Sequence, residues 1–343
     1  MKNPYSLQFG REPEEYISRL EQKETVINSF LNDEMQIFMV TGVRGAGKTA
    51  FMSNIKYEFT GLKDWVVIEV GTEKDMLNTL AAKLSSENKL GELFKSARIN
   101  LSYLGYGIEI NGTQPVTDID VALSRMLEVL KKHKKKLLVT VDEVIDNQYV
   151  REFATSFQIL IRDKLPIYLL MTGLYNNIDE LQNEKNLTFL HRAPKIHLNP
   201  LNIGTMASSY RRNIKVDDKS SIKMAQLTKG YPYAFQVLGY LSWKNKGNYE
   251  EVIDDFKQYL DEYVYDKIWS ELSPKDKYVL YGIASVDSGK VSDIREFLKL
   301  TSNEYNPYVR RLKRKEIIRG DNRGYVEFVL PLFDRFVIEN YYI

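Results

Sequence analysis

The sequence predicts an α/β chain: a parallel sheet with helices on both faces, then an all-helical segment, then a module of three helices and a hairpin. Three observations carry this. Short, wholly apolar runs alternate with helical periodicities up to about residue 200, the pattern of strands buried on both faces. From 203 to 268 only helical spacing is found, punctuated by Gly230 and Pro232. From 271 onward three short helical patterns precede two strand patterns around a DNRG turn.

Taken in order, residues 12–32 place Tyr16, Leu20, Val26, Ile27, Phe30 and Leu31 at helical spacing. MQIFMV (35–40) reads as a buried strand, 48–60 as a helix, WVVIEV (65–70) as a second strand and 73–90 as another helix. RINLSYLGYGIEINGT (98–113) alternates around Gly105 and Gly107, which predicts a hairpin insertion. An amphipathic helix over 117–132 starts from Thr117 as its cap. LLVTV (137–141) is the third strand, 150–164 a helix, IYLLMT (167–172) the fourth strand and KIHLNP (195–200) a fifth. SPKDKYVLYGIAS, VSDIREFLKL and SNEYNPYVRRLKRK supply the three terminal helices, and EIIRGDNRGYVEFVL the hairpin, which is the order of a winged helix-turn-helix. The expected domains are 1–202, 203–268 and 269–343.

Composition narrows the function. The chain has 343 residues, 43% hydrophobic and 27% charged, which is ordinary globular usage. Cysteine is absent and only three scattered histidines exist, so thiol chemistry and a His-rich zinc site are not expected. A net charge of +2 does not demand a nucleic-acid or membrane partner. No apolar run reaches the roughly 18 residues of a spanning helix, and the start lacks a signal peptide's apolar core. The expectation is a soluble, cytoplasmic protein without a membrane span.

The strongest motif is GVRGAGKT, residues 42–49, which fits G-x-x-x-x-G-K-[ST] between a strand and a helix. Glycines at Gly42, Gly45 and Gly47 let backbone N–H groups wrap a phosphate, with Val43, Arg44, Ala46 and Ala50 completing the loop and first turn. The helix beginning near Lys48 aims its positive end at the anion. Lys48 would bridge the β and γ oxygens, and Thr49 would offer its hydroxyl to Mg²⁺. The sheet is therefore expected to be a P-loop NTPase sheet.

The companion element is LLVTVDE (137–143), an apolar strand with acids at the C-terminal end, where open α/β sheets place ligands. Asp142 would hold Mg²⁺ and Glu143 would be the general base for a water; the alternative is that both merely cap the next helix. Thr172, at the tip of the fourth strand, could reach the γ-phosphate or the lytic water, or could end the strand as a turn residue. Arg192, before the fifth strand, is either an arginine finger or a solvated side chain. Gly230 and Pro232 open a helix, which is ordinary in itself. KKHKKK (131–136) reads as a solvated helix end.

Together these residues resemble the STAND and archaeal-type ATPases of the AAA+-related P-loop class, with origin-recognition initiator ATPases as cousins. FGRE (9–12) is similar to the family's opening motif near the adenine, GVRGAGKT to its Walker A, LLVTVDE to its Walker B and MTG (171–173) to its sensor-1 strand. GYP (230–232) resembles its lid motif near the base, so Gly230 and Pro232 are implied nucleotide neighbours. RGYVEFVLPLFDRFV (323–337) resembles the end of its winged helix. The first turns of the GYP helix carry no arginine, so no sensor-2 residue is assigned. The resemblance implies ATP rather than GTP, a slow ATPase switch and a helical lid; no guanine-reading N-K-x-D follows the fourth strand.

Residues 303–323 hold seven positive and three negative side chains, +4 in all. Arg310, Arg311 and Arg314 cluster on the expected recognition helix and could contact double-stranded DNA. Equally, the module could dock in cis. The resulting expectation is an ATP- and Mg²⁺-dependent regulatory ATPase, partnered by DNA, an ATP-dependent homo-oligomer or another protein. The rival is a non-hydrolysing ATP-binding scaffold or signalling module whose winged helix acts in cis or binds protein. A nucleotide kinase is disfavoured, because lid and winged helix supply no second-substrate pocket.

Overall fold

A computed structural model describes residues 2–8, 13–105, 114–320 and 322–341. The FGRE motif (9–12) and the tip of the 98–113 insertion lie outside the described residues. By contact density the chain forms two compact units, one of residues 20–41 and 51–197, the other of 1–19, 42–50 and 198–343.

The first unit is the α/β layer structure. Its elements are α1 (Leu20–Leu31), β1 (Ile37–Thr41), α2 (Lys48–Thr60), β2 (Trp65–Glu69), α3 (Met76–Ser86), α4 (Asn88–Ser96), α5 (Ile119–Lys132), β3 (Lys136–Val141), α6 (Gln148–Arg162), β4 (Ile167–Gly173), α7 (Tyr175–Asn183) and β5 (Lys195–His197); α2 begins in the stretch assigned to the other unit. All five strands run parallel in the order β2-β3-β4-β1-β5. Every residue of β1 and β4 is buried, as continuous apolar runs require of central strands. Thr41 pairs with Gly173 and Val141 with Met171, so the C-terminal ends of β1, β3 and β4 form one edge. An aromatic cluster of Phe30, Phe38, Phe59, Trp65 and Tyr168 packs the unit, with Phe59 and Trp65 centroids 4.4 Å apart.

Several expected boundaries shift for local reasons. The first helix starts at Leu20, because Ile17 and Arg19 are buried in non-helical chain. The helix expected over 73–90 is two helices. Asp75 caps the first by accepting from Asn78 N–H at 3.0 Å, and Glu87 breaks the run with extended backbone. The cap of α5 is Asp118 rather than Thr117, accepting from Val121 N–H at 3.0 Å. In the described part of the expected hairpin, Ser102–Leu104 is a 3-10 turn. There Asn100 Oδ1 takes the Ser102 N–H at 3.1 Å, a local turn that competes with strand pairing. The fifth strand ends at His197.

The second unit continues with α8 (Ile203–Ile214), α9 (Asp218–Leu227), α10 (Pro232–Lys244), α11 (Ile253–Leu260), a π-helical turn over Asp261–Tyr265, α12 (Asp266–Ser270), α13 (Pro274–Ser285), α14 (Val291–Leu298), α15 (Ser302–Arg314), β6 (Ile318–Arg319), β7 (Glu327–Phe328) and α16 (Phe333–Asn340). Its core joins Tyr5, Tyr210 and Phe235 to Tyr265, Phe333 and Phe336. β6 and β7 pair antiparallel, Ile318 against Phe328. Among the described residues no helix is long and apolar enough to cross a membrane.

Candidate nucleotide site

The glycine-rich loop follows β1 without a break. Gly45 and Gly47 have φ of +72° and +83°, left-handed values that side chains rarely adopt. At Gly45 space adds to the constraint: a Cβ would lie 2.2 Å from the Tyr231 hydroxyl oxygen. Lys48 Nζ donates to Gly42 O at 2.9 Å and Val43 O at 3.0 Å, which curls the loop around its own ammonium. Thr49 and Ala50 lie in the first turn of α2.

The GYP element packs on this loop. Tyr231 Oη donates to Arg44 O, and Tyr233 N–H donates to Gly45 O at 3.2 Å. Gly230 has φ of +77° and Pro232 is the first residue of α10. Arg19 also reaches the loop. Its Nε donates to Asn199 O at 2.7 Å and its Nη2 to Ala46 O at 3.1 Å. Burial pushes the Arg19 guanidinium down to about 10, and no carboxylate among the described residues pairs with it. A buried cation held by backbone carbonyls of a glycine-rich loop fits a polyphosphate: the anion would supply a countercharge that the described residues do not.

At the strand tips of the α/β unit, three expected residues come together. Thr172, fully buried, donates its hydroxyl to Asp142 Oδ1. Glu143 N–H donates to Asp142 Oδ1 at 3.1 Å and to Thr172 Oγ1 at 3.4 Å. Glu143 is exposed, with φ of +51°. Neither acid caps the next helix. Asn147 does so, accepting from Val150 N–H at 2.9 Å. Arg192 ends the 3-10 turn Thr188–Arg192 and is exposed.

On α15, Arg310 and Arg314 are exposed. Arg311 differs. It forms a two-point pair with Asp276 Oδ1, from Nη2 at 2.6 Å and from Nε at 2.9 Å, and Asp276 is 1% exposed. That guanidinium ties α15 to α13, where Asp276 also closes the capping box of Ser273.

Sequence reasoning missed Arg19, Tyr231 and Glu316, whose Oε2 accepts the Val43 N–H at 3.2 Å. Tyr231 lay inside the quoted GYP motif, but nothing in the motif pointed to its hydroxyl. Arg19 and Glu316 had no local signal, since both act across long sequence separations.

Comparison with solved structures finds the same overall fold. The Walker-type ATPase of Pyrococcus abyssi superimposes with a TM-score of 0.70 at 15% identity, over 97% of this chain and 99% of that one. The Aeropyrum pernix ORC2 protein, solved in ADPNP–ADP complexes, gives a TM-score of 0.62 at 13% identity, over 97% and 95%. At these identities the likeness is one of fold: the chain shares the overall architecture of both proteins. A family model described as a domain of unknown function (DUF8462) matches residues 262–337. No curated protein sequence matches the chain.

Proposed function

We propose that the chain is an ATP-binding regulatory ATPase that hydrolyses ATP slowly and uses its nucleotide state as a switch. The observation that carries this is the curled glycine-rich loop, with Lys48 inside it and the buried Arg19 against it. In this reading, amides of Gly42–Ala50 hold the phosphates, Lys48 bridges the β and γ oxygens, and Gly230 and Pro232 lie near the base. Thr49 and Asp142 would be the protein ligands of Mg²⁺, an ion that keeps several waters and needs few side chains. Bound Mg²⁺ would neutralise charge on the phosphates. Thr172 holds the Asp142 carboxylate in one orientation. Glu143 takes a proton from the attacking water, and Arg192, exposed ahead of β5, would be the finger that meets the γ-phosphate. Residues 1–202 are proposed as the ATPase core, 203–268 as the lid and 269–343 as a winged helix.

Two roles for the terminal module stand side by side. Exposed Arg310 and Arg314 favour double-stranded DNA. Contacts of Glu316 with Val43 and of Arg44 with Glu271, the latter at 3.3 Å, favour action in cis.

Steady-state phosphate release at saturating Mg-ATP tests the enzyme reading. Glu143→Gln keeps the shape and loses the base, so ATP should still bind while turnover falls by about 10²-fold or more. A variant that hydrolyses at the wild-type rate removes Glu143 from the mechanism.

A further inference from the structure

We propose that Glu316 is a built-in competitor for the nucleotide phosphates, so that nucleoside triphosphate binding and release of the C-terminal module are one exchange. The inference rests on the reading of residues 42–49 as a nucleotide site. Glu316 Oε2 accepts the Val43 N–H at 3.2 Å and lies 3.8 Å from the position a Cβ on Gly42 would take. That same position is 3.8 Å from Lys48 Cγ. A carboxylate therefore sits on the Val43 amide of an anion-binding loop, near the same point of Gly42 as the side chain of the lysine that serves phosphate.

The backbone delivers it there. Glu316 follows the C-cap of α15 with φ of +58°, a left-handed position where glycine is the usual residue. Its N–H is held by Lys313 O at 2.9 Å, and Ile317 N–H by Leu312 O at 3.1 Å. The helix end and β6 thus aim one fixed side chain at the loop. Neighbouring contacts run the same way: Arg44 Nη2 meets Glu271 Oε1 at 3.3 Å, and Lys229 Nζ, beside Gly230, donates to Phe328 O at 3.0 Å in β7. Phosphate brings several negative charges within a few ångströms of this carboxylate. Like charges repel strongly where water is scarce, so binding expels Glu316 and loosens the helix end that carries it. By linkage, the docked module weakens nucleotide binding by the same factor.

The test is calorimetric titration of Mg-ATPγS into wild type, Glu316→Gln and Glu316→Gly, with amide hydrogen exchange across 313–319. Glutamine keeps an acceptor for Val43 but no charge. Glycine relieves the left-handed backbone, so loss of folding does not confound it. Both variants should bind about tenfold more tightly than wild type, and ATPγS should raise exchange at 313–319 in wild type. Wild-type affinity in both variants, or unchanged exchange while ATPγS is bound, overturns the exchange and leaves the nucleotide site standing. No binding by any of the three proteins removes the nucleotide site itself, and the exchange with it.

Discussion

Gly45 concentrates the residue-scale argument. The motif asks for small residues in this loop, but the structure adds a reason the motif does not contain: the Tyr231 hydroxyl fills the space where a side chain would start. Gly45→Ala should therefore destabilise the protein by about 2 kcal/mol or more, from left-handed strain and the clash together. Urea unfolding midpoints check this; an unchanged midpoint would mean that the loop and Tyr231 do not pack as described. Much of the loop was legible from its own residues, because glycine spacing and Lys48 are local signals. Arg19 and Glu316 were not, because each meets the loop only after the chain has folded back on it. The Asp142 and Glu143 pair lies between these cases. Its place after β3 was legible, whereas ruling out the helix-cap reading needed Asn147 to be seen in the capping position.

At the element scale, α15 separates binding from packing. Arg310, Arg311 and Arg314 are all exposed, but Arg311 is held by Asp276 and so is committed to packing. If DNA binds here, neutralising Arg310 and Arg314 together should flatten the log K against log salt slope by about two units, roughly one per lost contact. Titrating labelled duplex at several salt concentrations reads this, and an unchanged slope excludes the pair. The π-helical turn after α11 offers a second element-scale test. Asp261 Oδ1 is buried without a partner among the described residues, while Oδ2 meets Lys257 Nζ at 2.8 Å. Burial raises the Asp261 carboxyl above its ordinary 3.8, against the lowering pull of Lys257. The folded state then binds the proton more readily than the unfolded one, so stability falls as pH rises through that interval. Asp261→Asn should gain on wild type as pH is raised from acid to neutral in denaturant titrations; a constant difference would contradict the shift. Apolar runs made the strands legible, since β1, β3 and β4 are buried almost throughout. The break at Glu87 and the cap at Asp118 turn on single backbone angles and hydrogen bonds, which periodicity does not register.

At the scale of the whole molecule, alternation of strand and helix announced a parallel sheet, but the order β2-β3-β4-β1-β5 came only with the structure. That order matters, because it makes β4 the neighbour of both β1 and β3, which brings Thr172 to Asp142. The central claim is that the chain binds ATP through residues 42–49. Calorimetric titration of a non-hydrolysable Mg-ATP analogue into wild type and Lys48→Ala tests it most directly. One nucleotide per chain is expected in the wild type, and a loss of about 100-fold or more in the variant, since the ammonium that would face the phosphates is gone. Equal affinity in the two proteins would contradict it.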